Sequence, residues 1–217
     1  MVGDGSRRRG LGVLLVGLLL AVAACSGGSS ADGAGESGGG GGASATEHNE
    51  ADVEFATAMI PHHAQALVMV DVLRGRTDDP TLEQLAIDIR EAQAAEIEQM
   101  VDWLVAWDEE IPATMRDHVN GGHGMGDLDH MGDAMEGLED DLPGMMDGDD
   151  FDALADADVS GFEAMWLTMM IDHHEGAIEM AETELDEGQY RPTRRLASSI
   201  VKSQTAEIEL MRELLGT

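Results

Sequence analysis

The chain has 217 residues, and 44 acidic side chains against 12 basic ones leave a formal net charge of -32 at neutral pH. A nucleic-acid binder needs a basic footprint, so that class is excluded, and so much acid reads first as a soluble, self-repelling surface. Aromatic residues are 3% of the chain, which obliges methionine and aliphatic side chains to fill much of any core.

Residues 1–24 read as an export signal. Arg7, Arg8 and Arg9 form its charged start, and Val22-Ala23-Ala24-Cys25 closes it in the manner of a bacterial lipobox. The apolar run between them, Leu11 to Ala24, is shorter than the roughly 20 residues a spanning helix needs. Cys25, the only cysteine, is therefore expected to carry lipid and to anchor an exported lipoprotein to the outer face of the membrane, on the periplasmic or extracellular side. The plainer alternative is an ordinary signal peptide with a cysteine at its junction. Residues 25–48 then comprise the lipidated Cys25 and a Gly/Ser-rich flexible tether, which leaves 49–217 as the folded domain.

A first helix is predicted from about Asn49 to Arg74, because Phe55, Met59, His62, Ala66, Met69 and Leu73 recur at steps of four and three. Pro61 inside it should cost a hydrogen bond or bend the helix ahead of His62. Asp79-Pro80 opens a second helix as N-cap and first-turn proline, running to about Asp108 with Ile89, Gln93, Glu96, Met100, Trp103 and Trp107 along its seam. Residues 109–159 form a long crossover rich in Gly, Asp, His and Met, expected to have little structure of its own. Ser160 and Glu163 signal a capping box for a third helix to about Glu187, and a fourth runs from near Pro192 to Gly216. Strand-like alternation is missing, so the class is all-α.

The chain also repeats itself. An offset of 111 carries Met59-Ile60-Pro61-His62-His63 onto Met170-Ile171-Asp172-His173-His174, Phe55 to Trp166, Met69 to Met180, Gln93 to Gln204, Glu96 to Glu207 and Met100 to Met211. A register held over two helices and their loop marks a duplicated helix hairpin, 50–108 and 160–216. Each helix has one broad apolar face, and stacking the hairpins by a pseudo-twofold to bury those faces gives a four-helix bundle.

Chemistry is concentrated where the copies agree. Met59 and His63 lie one helical turn apart, as do Met170 and His174, so thioether and imidazole can face one point. Glu96 and Glu207 stand on apolar seams beside Met100 and Met211, where a carboxylate needs a cation or a donor. Recurrence of the doublets His62-His63 and His173-His174 with the same Met and Glu positions points to a metal. Thioether and imidazole without a thiolate suit copper, Cu(I) above all, with Cu(II) also open. The crossover offers a secondary set, His118, His123, Met125, His130 and Met131 with Met135, Met145 and Met146, whose bland reading is a solvated loop folded on the bundle.

These motifs, together with the run Met169-Met170-Ile171-Asp172-His173-His174-Glu175-Gly176-Ala177, resemble domain of unknown function family 305, exported bacterial proteins with a ferritin-like four-helix fold. The resemblance covers about residues 50–215. It implies copper sequestration, tolerance or delivery, because similar members bind copper in the periplasm. It points at Met59, His62, His63, Met69, Met170, His173, His174 and Met180 as metal ligands, with Glu96, Met100, Glu207 and Met211 beside them.

Two other readings compete. A structural or partner-binding bundle would keep its histidines as satisfied core residues. A ferritin-like di-iron oxidase would need a Glu-x-x-His pair on each of two helices, but Glu96 and Glu207 are followed three residues on by Gln99 and Leu210. No catalytic constellation is found, so the expectation is a binding protein rather than an enzyme. The metal ion and, through Cys25, the membrane are the expected partners; a homodimer and a copper-handling partner stay open.

Overall fold

The computed structural model describes residues 44, 46–114 and 142–216. The chain divides into two units, Met1–Gly39 and Gly40–Thr217. The first, with the expected signal and Cys25, lies outside the described residues, as do His118, His123, Met125, His130, Met131 and Met135 of the crossover.

Five helices are described: α1 Glu50–Leu73, α2 Pro80–Trp107, α3 Gly148–Asp156, α4 Val159–Glu187 and α5 Arg191–Leu215. Local chemistry sets their ends. Asn49 and Asp52 form a reciprocal capping box ahead of α1, each side chain taking the other's backbone N–H. Asp79 accepts from the N–H groups of Thr81 and Leu82, with Pro80 in the first turn of α2. Asp108 ends α2 at φ 62°, returning its N–H to the carbonyls of Leu104 and Val105, and Gly216 ends α5 in the same left-handed manner.

The helix α1 runs through Pro61. Three expectations change. The burial of α1 is nearly all round rather than along one face, because α2 and α4 both pack on it. Asp158, not Ser160, caps α4, accepting from Gly161 N–H, and Glu163 instead takes a hydrogen bond from the Thr77 hydroxyl at 2.5 Å. The described end of the crossover, from residue 142, is also more structured than its composition suggests. Its last part forms α3 behind an Asp147/Asp150 capping box and buries Phe151 and Leu154. Arg76 fixes this end by donating to the carbonyls of Leu154, Ala155 and Ala157 while lying 3.7 Å over the Phe162 ring.

The hairpins α1–α2 and α4–α5 meet chiefly through α1 against α4, while α2 and α5 lie outside and scarcely touch. The repeats reach across to each other's turns from the same repeat position. Asp52 accepts from the N–H groups of Gln189 and Tyr190 and from the Thr193 hydroxyl at the α4–α5 turn, and Glu163 meets Thr77 at the α1–α2 turn.

The apolar core falls into two clusters that the repeat exchanges. One holds Met69, Leu85, Ile89, Trp166, Met170, Ile208 and Met211. The other holds their counterparts: Leu196, Ile200, Phe55, Met59 and Met100 buried, with Met180 and Ile97 partly buried against them. Each cluster thus combines the early half of one repeat's first helix with the late half of the other's. Between the clusters along the helices lie the histidine doublets. No described helix is long and apolar enough to cross a membrane.

Candidate metal centre

The four histidines are wholly buried, and their rings form a row across the bundle. The central pair, His62 and His173, has ring centroids 3.8 Å apart, and each outer ring, His63 or His174, lies 6.3 Å from its inner neighbour. Residues related by the repeat can meet only on the pseudo-twofold axis, so His62 and His173 mark that axis. The outer rings stand off it on either side. Each is held by its own hairpin: His63 Nε2 lies 2.8 Å from Glu96 Oε2, and His174 Nε2 lies 2.8 Å from Glu207 Oε2.

These contacts determine which nitrogen carries the proton. His173 Nε2 faces the His62 carbonyl at 3.0 Å, and His62 Nε2 faces the Pro143 carbonyl at 3.1 Å. Carbonyls and carboxylates accept only, so Nε2 is the donor in all four rings and, in the neutral ring, Nδ1 keeps a lone pair. All four Nδ1 atoms are buried without a hydrogen-bond partner in the protein. Burial, followed by repulsion from His63, pushes His62 down to about 3, and burial with the neighbouring imidazoles holds His173 well below the ordinary histidine range. Both inner rings are therefore neutral at physiological pH. An oxygen on one ring nitrogen and a free lone pair on the other is the arrangement commonly found around metal-binding imidazoles.

The thioethers sit in the clusters on either side of this row. Met59 and Met100 are buried in one cluster with Met180 packed against it, and Met69, Met170 and Met211 are buried in the other. Each trio draws two residues from one repeat and one from the other. Met180 also lines a cavity of about 160 Å³ with Pro143 and Glu184. Among the described residues, no group of three or more His, Cys, Asp or Glu could hold a metal ion, so imidazole and carboxylate alone do not make a site here.

A strap from the end of the crossover closes on the row, and the sequence reading missed it. Gln65 Nε2 donates to the Met146 carbonyl at 2.8 Å, and Met146 N–H donates back to Gln65 Oε1 at 2.9 Å. Gly144, at φ 74°, passes so close to α4 that a Cβ would lie 2.3 Å from the Asp172 carbonyl oxygen; one on Gly176 would lie 1.9 Å from that of Pro143. The repeat places Gly176 opposite Gln65. One copy carries the clamp and the other the clearance, and this asymmetry is why His62 bonds to the strap rather than to the His173 carbonyl. The pairing of Gln65 with Gly176 at one repeat position, an amide against no side chain, was the available signal. Met146, expected in a loose loop, is buried in the core.

Fold and site together define a duplicated helical-hairpin bundle with a buried imidazole layer between two methionine-containing clusters. The family described as Domain of unknown function (DUF305) matches residues 52–215, and the chain belongs to it. Among solved structures it is similar to a putative secreted protein of that family from Streptomyces coelicolor, at 31% identity and TM-score 0.61, covering 76% of this chain and 92% of that one. A fragment from Deinococcus radiodurans matches at 29% identity and TM-score 0.59, covering 77% and 97%. CopM in its Cu(II)-bound form matches at 28% identity and TM-score 0.58, covering 76% and 95%; CopM structures with Cu(I) and with Ag bound match at 27% identity and TM-score 0.56. A shorter match, 43% identical over 49 residues, is to Uncharacterized protein L153 of Acanthamoeba polyphaga mimivirus. It spans 23% of this chain and about a third, 32%, of that protein.

Proposed function

We propose that this protein is an extracytoplasmic metal-binding lipoprotein that holds copper, Cu(I) foremost, for sequestration, tolerance or delivery. The observation that carries the reading is the set of four buried, unpartnered Nδ1 atoms lying between two methionine-containing clusters. A buried polar atom without a partner costs stability. A bundle whose histidines served packing alone would be expected to satisfy both ring nitrogens. The copper- and silver-bound forms of CopM support a soft monovalent ion, since Ag(I) and Cu(I) favour the same sulfur and imidazole donors.

In this reading His62, His63, His173 and His174 offer Nδ1, and Met59, Met100 and Met180 on one side, with Met69, Met170 and Met211 on the other, offer sulfur. Glu96 and Glu207 hold the outer imidazoles by Nε2, fixing their tautomer and orientation. The secreted relative supports export, and Cys25 with its tether supplies the anchor. Lipid labelling should follow Cys25 and vanish on Cys25→Ser.

Titrating the mature domain with Cu(I) against a competing chelator tests the function. Wild type is expected to compete, and His63→Gln/His174→Gln is expected to lose at least about tenfold in affinity. A wild-type domain that fails to compete ends the copper reading.

A further inference from the structure

Two side chains in the imidazole layer have no role so far. Gln93 and Gln204 are each 2% exposed and occupy the same repeat position. Gln93 Oε1 and Nε2 and Gln204 Oε1 find no hydrogen-bond partner in the protein. On α2, Gln93 lies between two contacts with α1: Arg90 with Asp71 and the Leu67 carbonyl on one side, Glu96 with His63 on the other. Its seam neighbours Ile89 and Met100 belong to different apolar clusters, so Gln93 sits at the level of the histidines. Gln204 holds the same place on α5, between Ile200 and Ile208.

Leucine at either position would extend the apolar seam and leave nothing unpaired. A pair of amides kept at equivalent buried positions is instead suited to an occupant of the layer. Amide oxygen is a hard donor, poorly matched to Cu(I) or Ag(I), whereas Cu(II) takes nitrogen and oxygen ligands in tetragonal arrangements. Resting on the copper reading above, we propose that Gln93 and Gln204 are the hard-donor pair that lets the layer accept Cu(II), while the thioethers serve Cu(I). The imidazole Nδ1 atoms are common to both oxidation states.

The test compares wild type with Gln93→Leu/Gln204→Leu in three measurements: Cu(II) affinity with the Cu(II) electron paramagnetic resonance spectrum, Cu(I) affinity, and apo-protein melting temperature. The inference expects Cu(II) binding weakened by about tenfold or more with an altered spectrum, Cu(I) affinity unchanged, and an apo protein that melts higher because orphaned amides have been replaced by apolar groups. Gln93→Ile/Gln204→Ile, which likewise removes the amides without adding a donor atom, should behave alike and serves if the leucine variant does not fold. Equal loss of Cu(I) and Cu(II), an unchanged spectrum, or a lower apo melting temperature in the folded variants would overturn the inference. If wild type binds copper and the variants match it, only this inference falls; if wild type binds neither ion, the copper reading falls with it.

Discussion

At the scale of single residues, the strap depends on two that the repeat makes unequal. Gln65 satisfies both backbone groups of Met146 in a buried setting, so Gln65→Leu strands a donor and an acceptor there. Removing the side chain should cost about 1–3 kcal/mol, read by chemical denaturation. Gly176→Ala should be comparably damaging, by about 1–3 kcal/mol, because the atom met at 1.9 Å is a backbone carbonyl oxygen that cannot rotate aside. The repeat-equivalent change Gln65→Ala would lose the clamp without that collision. A hydrogen-exchange experiment should show residues 142–146 loosened in all three variants.

Among the elements, the join between the start of α1 and the α4–α5 turn carries its own pH dependence. The Thr193 hydroxyl oxygen lies 2.6 Å from Asp52 Oδ1, 2.5 Å from Glu184 Oε1 and 2.7 Å from the Tyr190 carbonyl. One hydroxyl proton cannot serve three acceptors, so a carboxyl must supply another. Burial acts to raise Asp52, but hydrogen bonds from Thr193, Asn49 and Tyr190 outweigh it and hold that carboxyl below its ordinary range. Glu184 is pushed up to about 8 by burial, with Asp52 adding to the rise and Thr193 opposing it. Glu184 is therefore the protonated partner.

The sign of the linkage follows from the proton count. Between the unfolded value near 4.5 and the folded value near 8, the native state keeps a proton the unfolded state has released. The Glu184 contribution is thus fully present below about 4.5, declines as pH rises, and is gone above about 8. Denaturation midpoints across this window should fall less steeply for Glu184→Gln, whose neutral amide mimics the acid. The Asp52 contribution runs the opposite way, being lost as pH drops through its lowered folded value. The neighbouring Arg194, Glu54 and Glu187 supply background charge that both proteins share.

For the molecule as a whole, the pseudo-twofold predicts that paired changes act alike wherever the strap is not involved. Met100→Leu and Met211→Leu should each alter apo stability by less than about 1.5 kcal/mol, because volume is nearly conserved. Under the copper reading each should weaken Cu(I) binding to a similar degree, measured by chelator competition. Saturating metal should in turn stabilise the fold, by about 2.7 kcal/mol when free ion stands at a hundred times the dissociation constant.

Periodicity and the repeat made most of this architecture legible. Helix ends at Asn49, Asp79 and Gly216, the duplicated hairpin, and the burial of His62, His63, His173 and His174 all follow from side chains acting within a turn or two of themselves. Glu96 and Glu207 could be read as needing a partner, since a carboxylate on an apolar seam must find one. Their partners, the Nε2 atoms of the outer histidines, depend on how α2 lies against α1 and α5 against α4. Likewise Pro143, Gly144 and Met146 reach the histidine row only because the crossover folds back across the bundle, a contact between residues some 80 positions apart. Local periodicity carries no information about such returns. The chain thus specified its helices and its symmetry through short-range preference, while packing between distant segments chose which ring nitrogens are held and which remain free to bind.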